Sequence, residues 1–154
     1  MIGQNGAEQA VAAQIYTAAG ATPQAVASGT PEELDIASNG LSNQCVADAA
    51  NNRITTTHAG LYHVDMQMSF SAEFANDTWT FQLRQNGVAV TKAACQRFMS
   101  NADVGSVGFV ATVQAAAGDN FTIYADHDRA PAGTDADITI KELQLVMHRL
   151  DRTG

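Results

Sequence analysis

The side chains most able to do chemistry in this sequence are few. His63 and Asp65 stand two residues apart, which puts an imidazole and a carboxylate on one side of an extended strand. Such a pair can act as acid and base or supply two metal ligands. No third ligand follows at a readable spacing, so the pair is read as part of a polar strand face. Asp126-His127-Asp128, with Asp135 and Asp137 beyond Pro131, offers oxygen ligands for a hard cation. The order departs from that of an EF-hand loop, and acidic loops are commonly just solvated. Asp126, Asp128 and Asp135 therefore stand only as weak metal candidates, and neither metal nor cofactor is expected. Cys45 and Cys95 cannot alone make a CxxC motif or a zinc site. They are expected as two free thiols in a reducing compartment. A nucleophile elbow, a zincin helix and a phosphate-binding glycine loop are all missing, and Gly105-Ser106-Val107-Gly108 is too short for the last. Nothing supports an enzyme. Asn76-Asp77-Thr78 and Asn120-Phe121-Thr122 match the glycosylation acceptor pattern, by chance in a cytoplasmic product.

The element that must carry His63 and Asp65 is Gly60–Phe70. From Tyr62 on, every second residue is apolar (Tyr62, Val64, Met66, Met68, Phe70), and His63, Asp65, Gln67 and Ser69 alternate with them. This period of two predicts a strand with one face in a core. At ~3.4 Å per residue it spans about 35 Å, long enough for the middle of a sandwich. Around it, Arg53–Thr57 reads as a β-branched strand, and Thr78–Gln85 alternates with Trp79, Phe81 and Leu83 on one face, a core role for Trp79. Asn86-Gly87 signals a type I′ hairpin, and Val88–Met99 is the return strand. Val104–Gln114 faces Val107, Phe109, Ala111 and Val113 one way, and Asn120–Ala125 turns Phe121 and Ile123 inward. Asp137–Arg149 closes the series; its apolar phase shifts from Ile138/Ile140 to Leu143/Leu145, predicting a bulge near Lys141-Glu142. Ala7–Ala19 fits either a short helix or an edge strand at Ala13–Thr17, with the strand preferred. Glu32–Ala37 reads as a short strand. Ser38–Asn52, Ser71–Asp77 and Asp126–Ala136 read as connections.

These signals predict an all-β fold: an antiparallel two-sheet sandwich. Residues 1–30 read as a short N-terminal arm and first edge strand, and residues 31–154 as the sandwich domain, which the resemblance given below makes a jelly roll. With 154 residues, 45% of them hydrophobic and 16% charged, the chain is long enough to bury a core and is not disordered. The formal net charge of −8, without a Lys/Arg cluster, argues against nucleic acid. No apolar run approaches a membrane span, and the N-terminus lacks the pattern of a secretory signal, so synthesis in a cytoplasm is expected.

Four stretches carry a resemblance to a known family. They are Asn52-Arg53-Ile54-Thr55 leading to Ala59-Gly60-Leu61-Tyr62; Leu83-Arg84-Gln85-Asn86-Gly87; Val113-Gln114-Ala115-Ala116-Ala117-Gly118-Asp119; and the closing strand with Ile138, Ile140, Leu143 and Leu145. In this order they resemble the jelly roll of tumour necrosis factor and complement globular heads. The resemblance implies a ten-strand jelly roll assembled as a homotrimer, with the outer face of the central strand's sheet at the threefold axis. His63, Asp65, Gln67, Val110, Gln144 and Val146 are then the interface candidates. Within that family the chain is most similar to phage virion proteins, which implies a trimeric capsid decoration protein on the virion surface, partnered by the major capsid protein. Its Ala/Gln/Thr-rich start resembles a capsid-gripping arm, with Ile2, Gln4, Gln9 and Val11 as contact candidates. The alternative is the receptor- or carbohydrate-binding head of a tail fibre, using the loops at Ser71–Asp77, Ser100–Asp103 and Asp126–Ala136.

Overall fold

The computed structural model describes residues 10–18, 22–100 and 103–151. Its strands are β1 (Ala12–Thr17), β2 (Gln24–Ala27), β3 (Glu32–Glu33), β4 (Ser38–Asn43), β5 (Cys45–Asp48), β6 (Arg53–Thr56), β7 (Gly60–Ala72), β8 (Asp77–Gln85), β9 (Val88–Met99), β10 (Gly105–Ala115), β11 (Asn120–His127) and β12 (Asp135–Arg149), with one 3-10 turn at Ala49–Asn51. They make two antiparallel sheets of six strands. The first runs β10-β7-β12-β1-β4 with β2 also on β12; the second runs β5-β6-β11-β8-β9 with β3 also on β11. This is the all-β two-sheet sandwich that the alternation predicts, in the jelly-roll form that the resemblance implies.

The inward residues of both sheets fuse into one core. Tyr62, Val64, Met66 and Phe70 of β7 are fully buried, as are Trp79, Phe81 and Leu83 of β8. Across the sandwich the Phe70 ring meets Phe81 edge-on at 5.0 Å and Trp79 at 6.2 Å, the edge-to-face geometry that aromatic quadrupoles favour. The predicted bulge is present: the β12–β7 register slips between Ile140 and Glu142. It lets β12 turn Ile138 and Ile140 inward before it and Leu143, Leu145 and Met147 inward after it. The β8–β9 hairpin turns at Asn86 and Gly87, with φ of 53° and 79°, the positive values a type I′ turn needs.

Four expectations change. The N-terminal segment is a strand, but not at an edge: β1 pairs with β12 on one side and β4 on the other, burying Ala13 and Ile15. Ser38–Asn52 is not a loop but β4, β5 and the 3-10 turn. β4 lies at a sheet edge and buries no residue, so it needs no apolar alternation; β5 points Cys45 and Ala47 inward but Val46 outward. Glu32–Ala37 forms a ladder only at Glu32–Glu33. Leu34 N still donates to the Ile123 carbonyl (2.8 Å), and then side chains take over as acceptors: Asp35 N donates to Gln24 Oε1 (3.0 Å) and Ile36 N to Asn52 Oδ1 (2.8 Å), while Leu34 and Ile36 stay buried. The strands also invade the expected loops: β7 runs on to Ala72, β8 starts at Asp77, and β11 includes Asp126 and His127.

Candidate functional site

The outer face of the first sheet is laid out by cross-strand register. One row is Thr112, His63, His148, Ala12; the next is Val110, Asp65, Val146, Gln14; the third is Gly108, Gln67, Gln144, Tyr16. All six interface candidates therefore fall in three adjacent rows across β10, β7 and β12. Asp65 is the one carboxylate in these rows, and no Lys or Arg enters them. Directly opposite neighbours in a sheet are in side-chain contact range, so Asp65 sits between Val110 and Val146. Among the described residues no hydrogen bond or ion pair engages it. Beside it the His63 and His148 rings lie 5.0 Å apart and tilted.

The face is concave. An open depression of about 1010 Å³ runs over Asp65, Gln67, Val110 and Gln144, rimmed by Tyr16 and Glu142. Gly108 helps to make it: a Cβ there would come within 2.8 Å of the Met66 carbonyl, so only glycine lets β10 approach β7 this closely. Val110, 63% exposed, and Tyr16, 36% exposed, present apolar surface on either side. Tyr16, Gly108 and His148 escaped notice in the sequence. The signal was there for His148, since the bulge puts it in phase with Gln144 and Val146; Tyr16 required knowing that β1 lies inside the sheet.

The acidic candidates serve the fold instead of converging on a cation. Asp126 Oδ1 accepts from Gly29 N and His127 N, each at 2.8 Å. Asp128 Oδ1 accepts from Thr78 N at 2.7 Å. Asp135 opens β12 opposite Ala27. Among the described residues no three His, Cys, Asp or Glu side chains gather as a metal site. Nearby, Arg129 bonds to both Asp77 oxygens (3.1 and 3.2 Å) and lies 4.0 Å over the Phe74 ring, clamping this end of the sandwich.

Cys45 and Cys95 are both free. They sit on β5 and β9, at opposite edges of the second sheet, roughly 19 Å apart at ~4.8 Å per strand, far beyond disulfide reach. Burial pushes each thiol up to about 11, so neither is a nucleophile near neutrality. Of the arm candidates, Ile2, Gln4 and Gln9 lie outside the described residues. Val11 is half-buried against the core, and its carbonyl accepts from Arg149 N at 2.9 Å.

No protein-family model matches the sequence, and no curated protein matches it. The fold, by contrast, is shared with solved structures. The globular domain of zebrafish complement 1qA protein superposes with a TM-score of 0.67 at 11% identity, covering 94% of this chain and all (100%) of that one. The Eiger TNF structure from S. frugiperda gives 0.63 at 12% identity over 94% of this chain and 95% of that chain. Murine APRIL, crystallised at pH 5.0, gives 0.58 at 14% identity over 90% and 99%. At such identities the likeness is one of fold: the protein has a jelly-roll fold similar to that of these tumour-necrosis-factor and complement globular-domain structures.

Proposed function

We propose that this protein is a non-catalytic structural module that assembles as a homotrimer through the outer face of its first sheet. The observation that carries this is charge depletion. A chain of net charge −8 holds a single carboxylate in three adjacent rows of one concave face, set among Val110, Val146, Tyr16 and uncharged polar residues. Loss of charged residues with retention of aromatic and aliphatic ones marks the buried centre of an interface. A closed ring of three would cover the depression in every copy.

The finer reading is that the trimer decorates a phage capsid, bound to the major capsid protein and exposed on the virion. It draws on the resemblance to phage virion jelly rolls and on the Ala/Gln/Thr-rich start. Its test is deletion of residues 1–9, which spares β1, followed by sedimentation with undecorated capsids. The deletion should leave the solution mass per chain count unchanged and abolish co-sedimentation; coating at the full-length level would remove the arm from the account. A second reading, a ligand-binding head of a tail fibre, is favoured by one feature, a polar cleft on the second sheet.

A further inference from the structure

The outer face of the second sheet, on the far side of the sandwich from the proposed assembly face, carries a cleft of about 430 Å³, within the ~300–1,000 Å³ usual for small-molecule sites. Asn120, Thr122 and Tyr124 of β11 line it together with Arg53 and the Asn86-Gly87 turn; Arg84 stands beside the cleft, outside its lining. Thr122 of β11 stands opposite Arg84 of β8, and the β11–β6 register (Asn120 to Thr55, Phe121 to Ile54) brings Arg53 to its other side. Tyr124 lies next along β11, with the Arg84 guanidinium 4.1 Å over its ring.

The walls are fixed by side chains whose bonds are already used. Asn52 donates to Glu33 Oε1 (3.2 Å) and Asp35 Oδ1 (3.3 Å) and accepts from Ile36 N (2.8 Å). Asn86 donates to Asp119 Oδ1 and accepts from Asn120 N, both at 2.8 Å. What remains points to a ligand. Thr122 is only 8% exposed, yet among the described residues its hydroxyl has no partner, and the same holds for the Tyr124 hydroxyl and the Asn120 amide nitrogen, whose Oδ1 alone is engaged, by Thr55. The Nε atoms of Arg53 and Arg84 are buried without a hydrogen bond; Asp48 lies 3.3 Å from Arg53 Nε, at ion-pair distance but out of alignment. The Thr122 and Tyr124 hydroxyls are not among the buried orphaned atoms, so each reaches solvent and can exchange its water for a ligand hydroxyl.

The charges decide the ligand's class. The Arg53 and Arg84 guanidiniums are outnumbered by Glu33, Asp35, Asp48 and Asp119, which disfavours an anion. Each of these carboxylates already accepts from a side chain of the fold, Asn52, Asn51 or Asn86, so none stands free for a cation. Interleaved hydroxyl and amide donors and acceptors suit a neutral polyhydroxylated ring. We infer that this cleft is a binding site for a neutral saccharide unit, with Thr122, Tyr124, Asn120 and Arg53 as its hydrogen-bonding residues. The site does not depend on the assembly face.

The test is titration of the full chain, ¹⁵N-labelled, with glucose, galactose, mannose and N-acetylglucosamine, and with glucuronate and inorganic phosphate as charged controls. At least one neutral sugar should give saturable amide shifts at Arg53, Asn120, Thr122 and Tyr124. The isosteric Thr122→Val should weaken that binding about tenfold, the worth of one good hydrogen bond. Tyr124→Phe, which keeps the ring beneath Arg84, should weaken it similarly. The inference is overturned by no saturable shift with any neutral sugar, by saturation with glucuronate or phosphate alone, or by binding that both variants leave intact.

Discussion

Replacing Val110 with aspartate separates the protomer's stability from that of the assembly. Val110 stands on β10, at the sheet's edge, and is 63% exposed. In an isolated protomer a change at such a position shifts stability by only ~0.5 kcal/mol, with up to ~1 kcal/mol more because the new carboxylate faces Asp65 directly across the ladder. In the proposed trimer the effect is larger. Fully burying a valine side chain is worth ~1.5–3 kcal/mol. Since 63% of it awaits burial, assembly gains ~1–2 kcal/mol per copy and ~3–6 kcal/mol for three. Losing that raises the dissociation constant roughly 10²- to 10⁴-fold, before the cost of desolvating three added charges. Sedimentation velocity over a concentration series reads the shift, and thermal melting of the dissociated variant checks that the protomer still folds. Val110→Ser removes the aliphatic surface without adding charge and should fall between the two. A Val110→Asp protein sedimenting as the same assembly as the parent, at every concentration, would refute the reasoning.

Three further outcomes are expected. Cys45 ionises near 11 in the fold but near its ordinary value of 9.0 when unfolded, so the unfolded chain loses its proton first. Stability therefore falls as pH rises from about 9 to 11, and Cys45→Ala should flatten that alkaline loss in urea midpoints measured across the range. Asp119 is held below its ordinary range by hydrogen bonds from the Asn86 side chain, Ala116 N and the Gln85 side chain. Its contribution is present above pH 3.8 and lost as pH falls through its lowered value; Asp119→Asn should destabilise the protein at neutrality and lessen the acid dependence of its melting temperature. Phe70→Ala empties the centre of the aromatic cluster and should cost ~3–5 kcal/mol in chemical denaturation.

Strands that cover the core on one side and meet water on the other announced themselves in the sequence. β7, β8 and β10 alternate because one face must be apolar, and the phase change in β12 revealed its bulge because a slip of one residue exchanges the faces. β4 was hidden by the same logic: an edge strand that buries no residue has no pattern to show. β5 was hidden because Val46 points outward, whereas β3 was legible but read too long, because the bonds after it run to the Gln24 and Asn52 side chains, distant in sequence. The rows of the proposed assembly face were partly visible, since His63, Asp65 and Gln67 alternate on one strand, but Tyr16 and Gly108 join them only through register. The polar cleft was invisible: Arg53 of β6 and Asn120, Thr122 and Tyr124 of β11 meet through register, with no spacing in the chain to connect them.

The most direct measurement is the solution mass of the parent protein by multi-angle light scattering across a wide range of concentrations. The account predicts a steady mass near three times 16.2 kDa, because the charge-depleted face is buried in each copy. A mass of 16.2 kDa throughout would contradict it and leave that face open to solvent.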